Sequence, residues 1–296
     1  MRNIRGYLLI ICATIFWGVS ATVAKFLFTH QTDPLILVQT RMTLSFITLM
    51  ILLLIFKRDV LRVKVKDLPR FALLGIIGVA GSNFCYYYII NVANVAIGIL
   101  LQYMASLLVL GYAVLTRDEE ISAVKFFSAI ISLAGCFLAV RGERLSLLNL
   151  STFGVIIAIA TPTVWAFNNI ILRHLLNSYR SWTVAIYAFM FATLFWMFFN
   201  PPWKLIAAGY SGETWGVFFL FAMISVLIPH SLYFIGVQYL TASRAIITAT
   251  FEPIVAIGSA YIFLGETLTP IQLVGAVFVI AAIILLQYKK EPTEPG

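Results

Sequence analysis

The chain has 296 residues, of which 61% are hydrophobic and 11% charged, and its net charge is +8. A water-soluble domain carries about 25% charged residues, so this chain has too little charge to cover a water-facing surface. It is also too hydrophobic for disorder, which leaves a polypeptide dissolved in lipid.

A membrane helix needs about 20 apolar residues, and ten such runs follow one another in the chain. They are long and continuous, unlike the ten-residue alternations of a β-barrel. The first run, 7–28, carries Trp17-Gly18 near its middle and Lys25 near its far end. It is too long for the apolar segment of a signal peptide, and nine runs follow it, so it is expected to remain as a first helix. The second, 35–56, holds Arg41 near its start and is followed by the most basic loop, with Lys57, Arg58, Arg62, Lys64, Lys66 and Arg70. The third, 71–90, contains the helix-breaking Gly81-Ser82-Asn83 and the aromatic Tyr86-Tyr87-Tyr88. The fourth, 95–115, contributes Gln102 and Tyr103, and the fifth is 121–140.

The sixth run, 153–172, carries Trp165, Asn168 and Asn169; the seventh, 182–199, is apolar throughout. The eighth, 215–237, is interrupted by Pro229-His230-Ser231 and holds Tyr233. The ninth, 242–263, starts with Arg244, which is expected to snorkel to headgroups, and has Glu252-Pro253 at mid-depth. The tenth is 270–287. The loops between runs are too short to hide a soluble domain. Cys12, Cys85 and Cys136 fall inside runs and read as small apolar residues, with neither a disulfide framework nor metal-ligand spacing.

With an even number of spans both termini share one face. Most of the 20 basic residues fall on that face, among them the whole 57–70 loop. Positive charge accumulates inside, so both termini are expected to be cytoplasmic and the protein to sit in the cell's inner (plasma) membrane. The basic excess is therefore a topology signal and not a nucleic-acid surface.

The two halves share a spacing. Trp17 and Trp165 stand 148 positions apart, and so do Gly6 and Gly154, Lys25 and Arg173, Gly81 and Pro229, and Asp118 and Glu266. Two repeats are expected, 1–145 and 146–296, each of five spans. An odd count makes the second half enter from the opposite face. The expected fold class is an all-α polytopic membrane protein of ten transmembrane helices in two inverted five-helix repeats. Many secondary transporters have inverted repeats, with breakers in corresponding helices marking a midplane site.

The segment Ile15-Phe16-Trp17-Gly18-Val19-Ser20 resembles the Trp-Gly opening of the drug/metabolite transporter superfamily. Thr250-Phe251-Glu252-Pro253-Ile254-Val255, followed by Phe263-Leu264-Gly265-Glu266, is similar to the Glu-Pro and Leu-Gly-Glu pattern of its EamA-type members, and Arg41 also fits. The first half departs from that pattern. Ala105 stands where the second half has Pro253, and Arg117-Asp118-Glu119-Glu120 replaces Leu-Gly-Glu. The resemblance implies a ten-helix carrier, in most cases an exporter of amino acids, metabolites or drugs.

Trp17, Asn83, Tyr86, Gln102, Tyr103, Trp165, Asn168, His230, Tyr233 and Glu252 share a mid-membrane depth and form the candidate substrate site. Aromatics mixed with amides at that depth line a wet cavity more often than a dry core. A charge there costs about 2.5–3.5 kcal/mol on insertion scales. Glu252 therefore reads either as a proton carrier or cation partner, or as a carboxylate satisfied by its neighbours. His230 reads either as a proton-sensing group or as a ring bonded to backbone loosened by Pro229. Lys25 and Arg41 are candidates for gating, or for anchoring at the interface.

The expected function is secondary export of a small metabolite such as an amino acid by alternating access. An importer of an organic cation and an intramembrane lipid-modifying enzyme are the alternatives. With no catalytic motif and no phosphate loop, an enzyme, an ATP-driven pump and any cofactor are not expected. The expected partners are a small-molecule substrate, the bilayer and protons.

Overall fold

The computed structural model describes residues 2–29, 34–92, 95–117, 122–140, 151–264 and 269–288. The expected repeat boundary at 145/146, the Asp118–Glu266 match and the Leu-Gly-Glu ending at 264–266 fall in or against the segments outside those residues.

The first two spans are α1 (Arg2–Thr29) and α2 (Pro34–Phe56). The third runs from α3 (Leu68–Leu73) through a π-helical stretch (Leu74–Gly81) into α4 (Ser82–Val92). The fourth is α5 (Val95–Tyr103) and α6 (Ala105–Thr116), and the fifth is α7 (Ala123–Ala139). In the second half the spans are α8 (Thr152–Leu176), then α9 (Ser181–Phe199), with the short α10 (Pro202–Ala207) in the following loop. Then come α11 (Gly212–Ala222), a π-helical stretch (Met223–Leu227) and α12 (Ile228–Val237). The ninth span is α13 (Ala242–Ala249) and α14 (Glu252–Leu264), and the tenth is α15 (Pro270–Tyr288). Eight spans are long and apolar enough to cross a membrane, and two shorter apolar helices, Ala123–Ala139 and Pro270–Leu286, complete the ten. Helices are the form that lets each span satisfy its own backbone in lipid. Serines start several of them: the Ser122 and Ser151 hydroxyls accept from the amides of Lys125 and Gly154.

The duplication is visible in the irregularities. The π-helical stretches fall in the third and eighth spans, at positions related by the 148-residue spacing. The fourth and ninth spans are broken at related places, around Met104 and at Thr250-Phe251. The packing is paired in the same way. Helix α1 lies on α12, α13 and α14, as α8 lies on α4, α5 and α6. Helix α2 meets the second π stretch as α9 meets the first, and α7 packs along α15. The molecule is thus two interleaved, inverted five-helix repeats.

Polar contacts gather the connections after the second and sixth spans on one face. Thr183 and Tyr187 at the start of α9 donate to the carbonyls of Val60 and Leu61 at 2.7 and 2.8 Å. Arg180 pairs with Asp59 at 2.7 Å, and the Tyr179 hydroxyl donates to Asp67 at 2.6 Å. On the same face Arg5 lies over the Tyr239 ring. Arg244 departs from the expectation that it snorkels. It is 2% exposed, and its Nη1 donates to the Tyr7 hydroxyl at 3.0 Å. The close packing of α1 against α12 and α13 turns it inward, away from the headgroups.

Two close helix crossings depend on glycine. Gly18 of α1 lies where a side chain would meet Val255 Cβ at 2.6 Å. Helices α7 and α15 cross backbone to backbone. A Cβ at Gly275 would lie 2.4 Å from the Ala139 amide nitrogen, and one at Gly135 would lie 2.8 Å from the Gly275 carbonyl. The buried face of α7 includes Ser128, Ser132, Gly135 and Ala139, a stripe of small residues that permits this approach. Its aromatic Phe126, Phe127 and Phe137 point outward.

Leucine at 275 is therefore expected to force α7 and α15 apart, at about 1–3 kcal/mol or more. Gly111, with nothing within 4 Å of an added Cβ, is the matched control. Thermal unfolding in detergent should show a lowered midpoint for Gly275→Leu and little change for Gly111→Leu. Equal midpoints would count against the crossing.

Candidate functional site

The breaks in the third, fourth, eighth and ninth spans lie around a mid-depth cavity with a volume of about 60 Å³. Both repeats and seven of the ten spans line it. Helix α1 provides Trp17, Ser20 and Ala21, and α2 provides Arg41. The third span provides Ser82, Asn83, Tyr86 and Tyr87, and α5 provides Gln102. The second repeat provides Trp165, Ser225, His230 and Glu252.

The aromatic part is built across the repeat relation. Trp17 and Trp165 hold equivalent positions and meet edge to face at 6.2 Å between ring centroids. Tyr233 lies 5.3 Å from Trp17 and stacks on Trp165 at 6.1 Å. It is fully buried and its hydroxyl donates to Asn169 Oδ1, which fixes the ring behind the two tryptophans. His230 meets Trp17 edge-on at 5.1 Å and Phe189 at 5.8 Å. Its Nδ1 lies 3.1 Å from the carbonyl of Val226. A carbonyl only accepts, so Nδ1 carries the hydrogen. The imidazole is thus held by backbone next to the π-helical stretch.

Glu252 is the first residue of α14, just after the break, and is 4% exposed. The positive end of the half-helix favours a carboxylate there. Pro253 is tolerated at the second position because the amide it lacks has no partner in a first turn. The Tyr103 hydroxyl, at the end of α5, donates to Glu252 Oε2 at 2.6 Å. One hydrogen bond therefore links the interrupted fourth and ninth spans.

Arg41 is 4% exposed and turns into the protein. Its Nη1 donates to the Tyr87 hydroxyl at 2.5 Å and its Nη2 to Asn83 Oδ1. Its Cζ lies 4.4 Å from the Tyr87 ring centroid. It does not anchor to headgroups, because α4 and the π stretch of the eighth span enclose it. The side chain of Lys25, the other gating candidate, lies outside the described residues.

Of the expected substrate-site residues, Trp17, Asn83, Tyr86, Gln102, Trp165, His230 and Glu252 line the cavity. Tyr103 and Tyr233 stand behind it, bonded to Glu252 and Asn169. Asn168 does not line it and packs against the first π stretch, where its Oδ1 is 2.8 Å from a Cβ built at Gly78. Ser20 and Ser225 line the cavity without having been expected there, and Ser82, read from sequence as part of a helix breaker, lines it as well. Ser20 stands three residues after Trp17 and Ser225 four before Pro229, so helical spacing from those two was the available signal.

The sequence profile described as the EamA-like transporter family matches residues 4–141 and 152–288. A threonine/homoserine exporter, RhtA of Escherichia coli K12, is 30% identical over 209 residues, covering 70% of this chain and 67% of that protein. An uncharacterized inner membrane transporter, YicL of Salmonella typhimurium, is 22% identical over 298 residues and 95% of each chain. An uncharacterized transporter of Archaeoglobus fulgidus is 25% identical over 71% of this chain and 75% of its own length. A solved crystal structure shares the fold with a TM-score of 0.76, at 16% identity and over 96% of each chain.

If the Tyr103–Glu252 bond holds the two breaks together, Tyr103→Phe should destabilise the protein by about 1–2 kcal/mol. Adding Glu252→Gln to it should cost less than the two single changes taken separately. A double-mutant cycle of unfolding free energies checks this. Strict additivity would show that the pair is not coupled.

Proposed function

Because the chain belongs to the EamA-like transporter family, we propose that it is a secondary carrier that exports a small amphipathic metabolite, an amino acid above all, by alternating access of its two inverted repeats. The observation that carries this reading is the mid-depth cavity. It is lined by both repeats, holds several aromatic side chains, and includes one buried cation and one buried carboxylate. An aromatic wall suits an apolar side chain, and the polar groups suit the backbone end of an amino acid. The exporter named among the relatives supports both the cargo class and the direction. Arg41 at the cavity wall opposes the organic-cation alternative by like charge.

In this reading the repeats divide at about 145/146, and the basic face with both termini is cytoplasmic in the plasma membrane. Glu252 carries the coupling proton. It sits at a helix break where the two repeats meet, and the Tyr103 hydroxyl donates to it. Rocking of the repeats exposes it to one side and then the other. Gln102 and His230 share its cavity and complete the polar wall.

Flux of a panel of amino acids into and out of sealed proteoliposomes, with and without an imposed pH gradient, tests the function. Selective flux that the gradient accelerates is the expected result. Glu252→Gln keeps the shape of the side chain but cannot titrate, so it should retain binding and lose the acceleration. Wild-type pH dependence in that variant would remove Glu252 from proton coupling. For orientation, Arg62 is exposed in the loop after α2. A cysteine there, in a background without other cysteines, should resist an impermeant thiol reagent in intact cells and react after the membrane is opened.

A further inference from the structure

Among the described residues Arg41 is a buried cation with no carboxylate paired to it. Its hydrogen bonds go to neutral acceptors, the Tyr87 hydroxyl and the Asn83 amide oxygen. No carboxylate lies within ion-pair distance of it among the described residues. Glu252, in the same cavity, is engaged by Tyr103 at 2.6 Å. Charges removed from water are ordinarily paired. Tyr87 and Asn83 orient the guanidinium fork without neutralising it.

The same cavity holds further polar atoms without a partner among the described residues. Arg41 Nε, Trp165 Nε1 and Tyr86 Oη are all shielded from water and have no hydrogen-bond partner. Arg41 and Trp165 are 4% and 5% exposed, and all three residues line the cavity. Indole and guanidinium nitrogens donate and cannot accept. One positive charge and two donor-only nitrogens in one cavity match an acceptor that carries negative charge.

We propose that Arg41, Trp165 and Tyr86 form a carboxylate-binding subsite. The substrate's carboxylate closes on the Nε edge of Arg41 and takes hydrogen bonds from Trp165 and Tyr86. Its remainder lies against Trp17 and His230. A single guanidinium with neutral donors matches one negative charge, and the planar fork matches a planar carboxylate. Tyr87 and Asn83 are positioning residues that hold the fork. The cargo is then a carboxylic acid, zwitterionic or anionic, and Glu252 is left for a role other than holding it. This inference deepens the transport reading and rests on it.

The test compares threonine and homoserine with their carboxamides and with the corresponding decarboxylated amines, by flux in proteoliposomes and by thermal stabilisation in detergent. Wild type should prefer acid to amide by at least about tenfold, because a lost charged hydrogen bond carries about that factor or more. Arg41→Lys keeps the charge but not the fork. It should weaken the acid by about tenfold to a hundredfold and leave the amide nearly unchanged, on the same scale. Trp165→Phe keeps the aromatic surface and removes the donor. It should narrow the acid-to-amide ratio several-fold, and it carries the test if Arg41→Lys fails to fold. Equal handling of acid and amide by wild type, or an unchanged ratio in Trp165→Phe and in a folded Arg41→Lys, overturns the subsite while leaving a transporter. Flux of the amines alone does the same. Absence of flux for every compound overturns the transport reading and the subsite with it.

Discussion

In a lipid-embedded chain, a helix interrupted at mid-depth exposes backbone that the bilayer cannot solvate. The architecture of this protein follows from how its interruptions are satisfied. Four spans are irregular at related positions, and each contributes to the cavity a residue within or beside its irregular part. The hydrogen bond from Tyr103 to Glu252 sits at the meeting point of two of them. It joins the end of one half-helix to the start of another from the opposite repeat. The same protein groups that make the breaks tolerable supply the polar wall of the cavity, since irregular backbone at this depth survives only where protein or water meets it.

Duplication built the scaffold, and divergence gave it polarity. Trp17 and Trp165 still face each other across the repeat relation. The charged groups of the cavity do not repeat. The position equivalent to Arg41 is Phe189, which packs on His230, and the position equivalent to Glu252 is Met104. The partners diverged as well: Asn83 and Tyr87, which hold Arg41, correspond to Ser231 and Ile235. One repeat therefore furnishes the cation and the other the carboxylate, and the cavity has two chemically distinct ends although the helices around it are near copies.

Much of this was legible in the sequence. The ten spans follow from unbroken apolar length, and the shared spacing of Trp17 with Trp165 and Gly81 with Pro229 announced the repeats. The break in the ninth span was signalled by Glu252-Pro253. Its counterpart in the fourth was not, because Ala105 carries no proline and the chain turns at Met104 all the same. The π-helical stretches were also silent. They depend on how backbone packs against α2 and α9, and local propensity does not encode that. Arg41 and Arg244 were open to misreading for one reason: position along a helix gives depth, while the direction of a long side chain depends on its neighbours. Burial of both residues shows that depth alone did not decide their environment.

The crossing of α7 and α15 fixes more than a distance. Each added residue turns a helix by roughly 100°. A single insertion between the crossing and either end of α7 would swing part of its small-residue stripe out to lipid and bring a phenylalanine against the partner backbone. The loops that join the spans can lengthen without such damage. Over evolutionary time this pair of helices should therefore accept substitutions on its outer face and resist any change in residue count, keeping its register while the lengths around it drift.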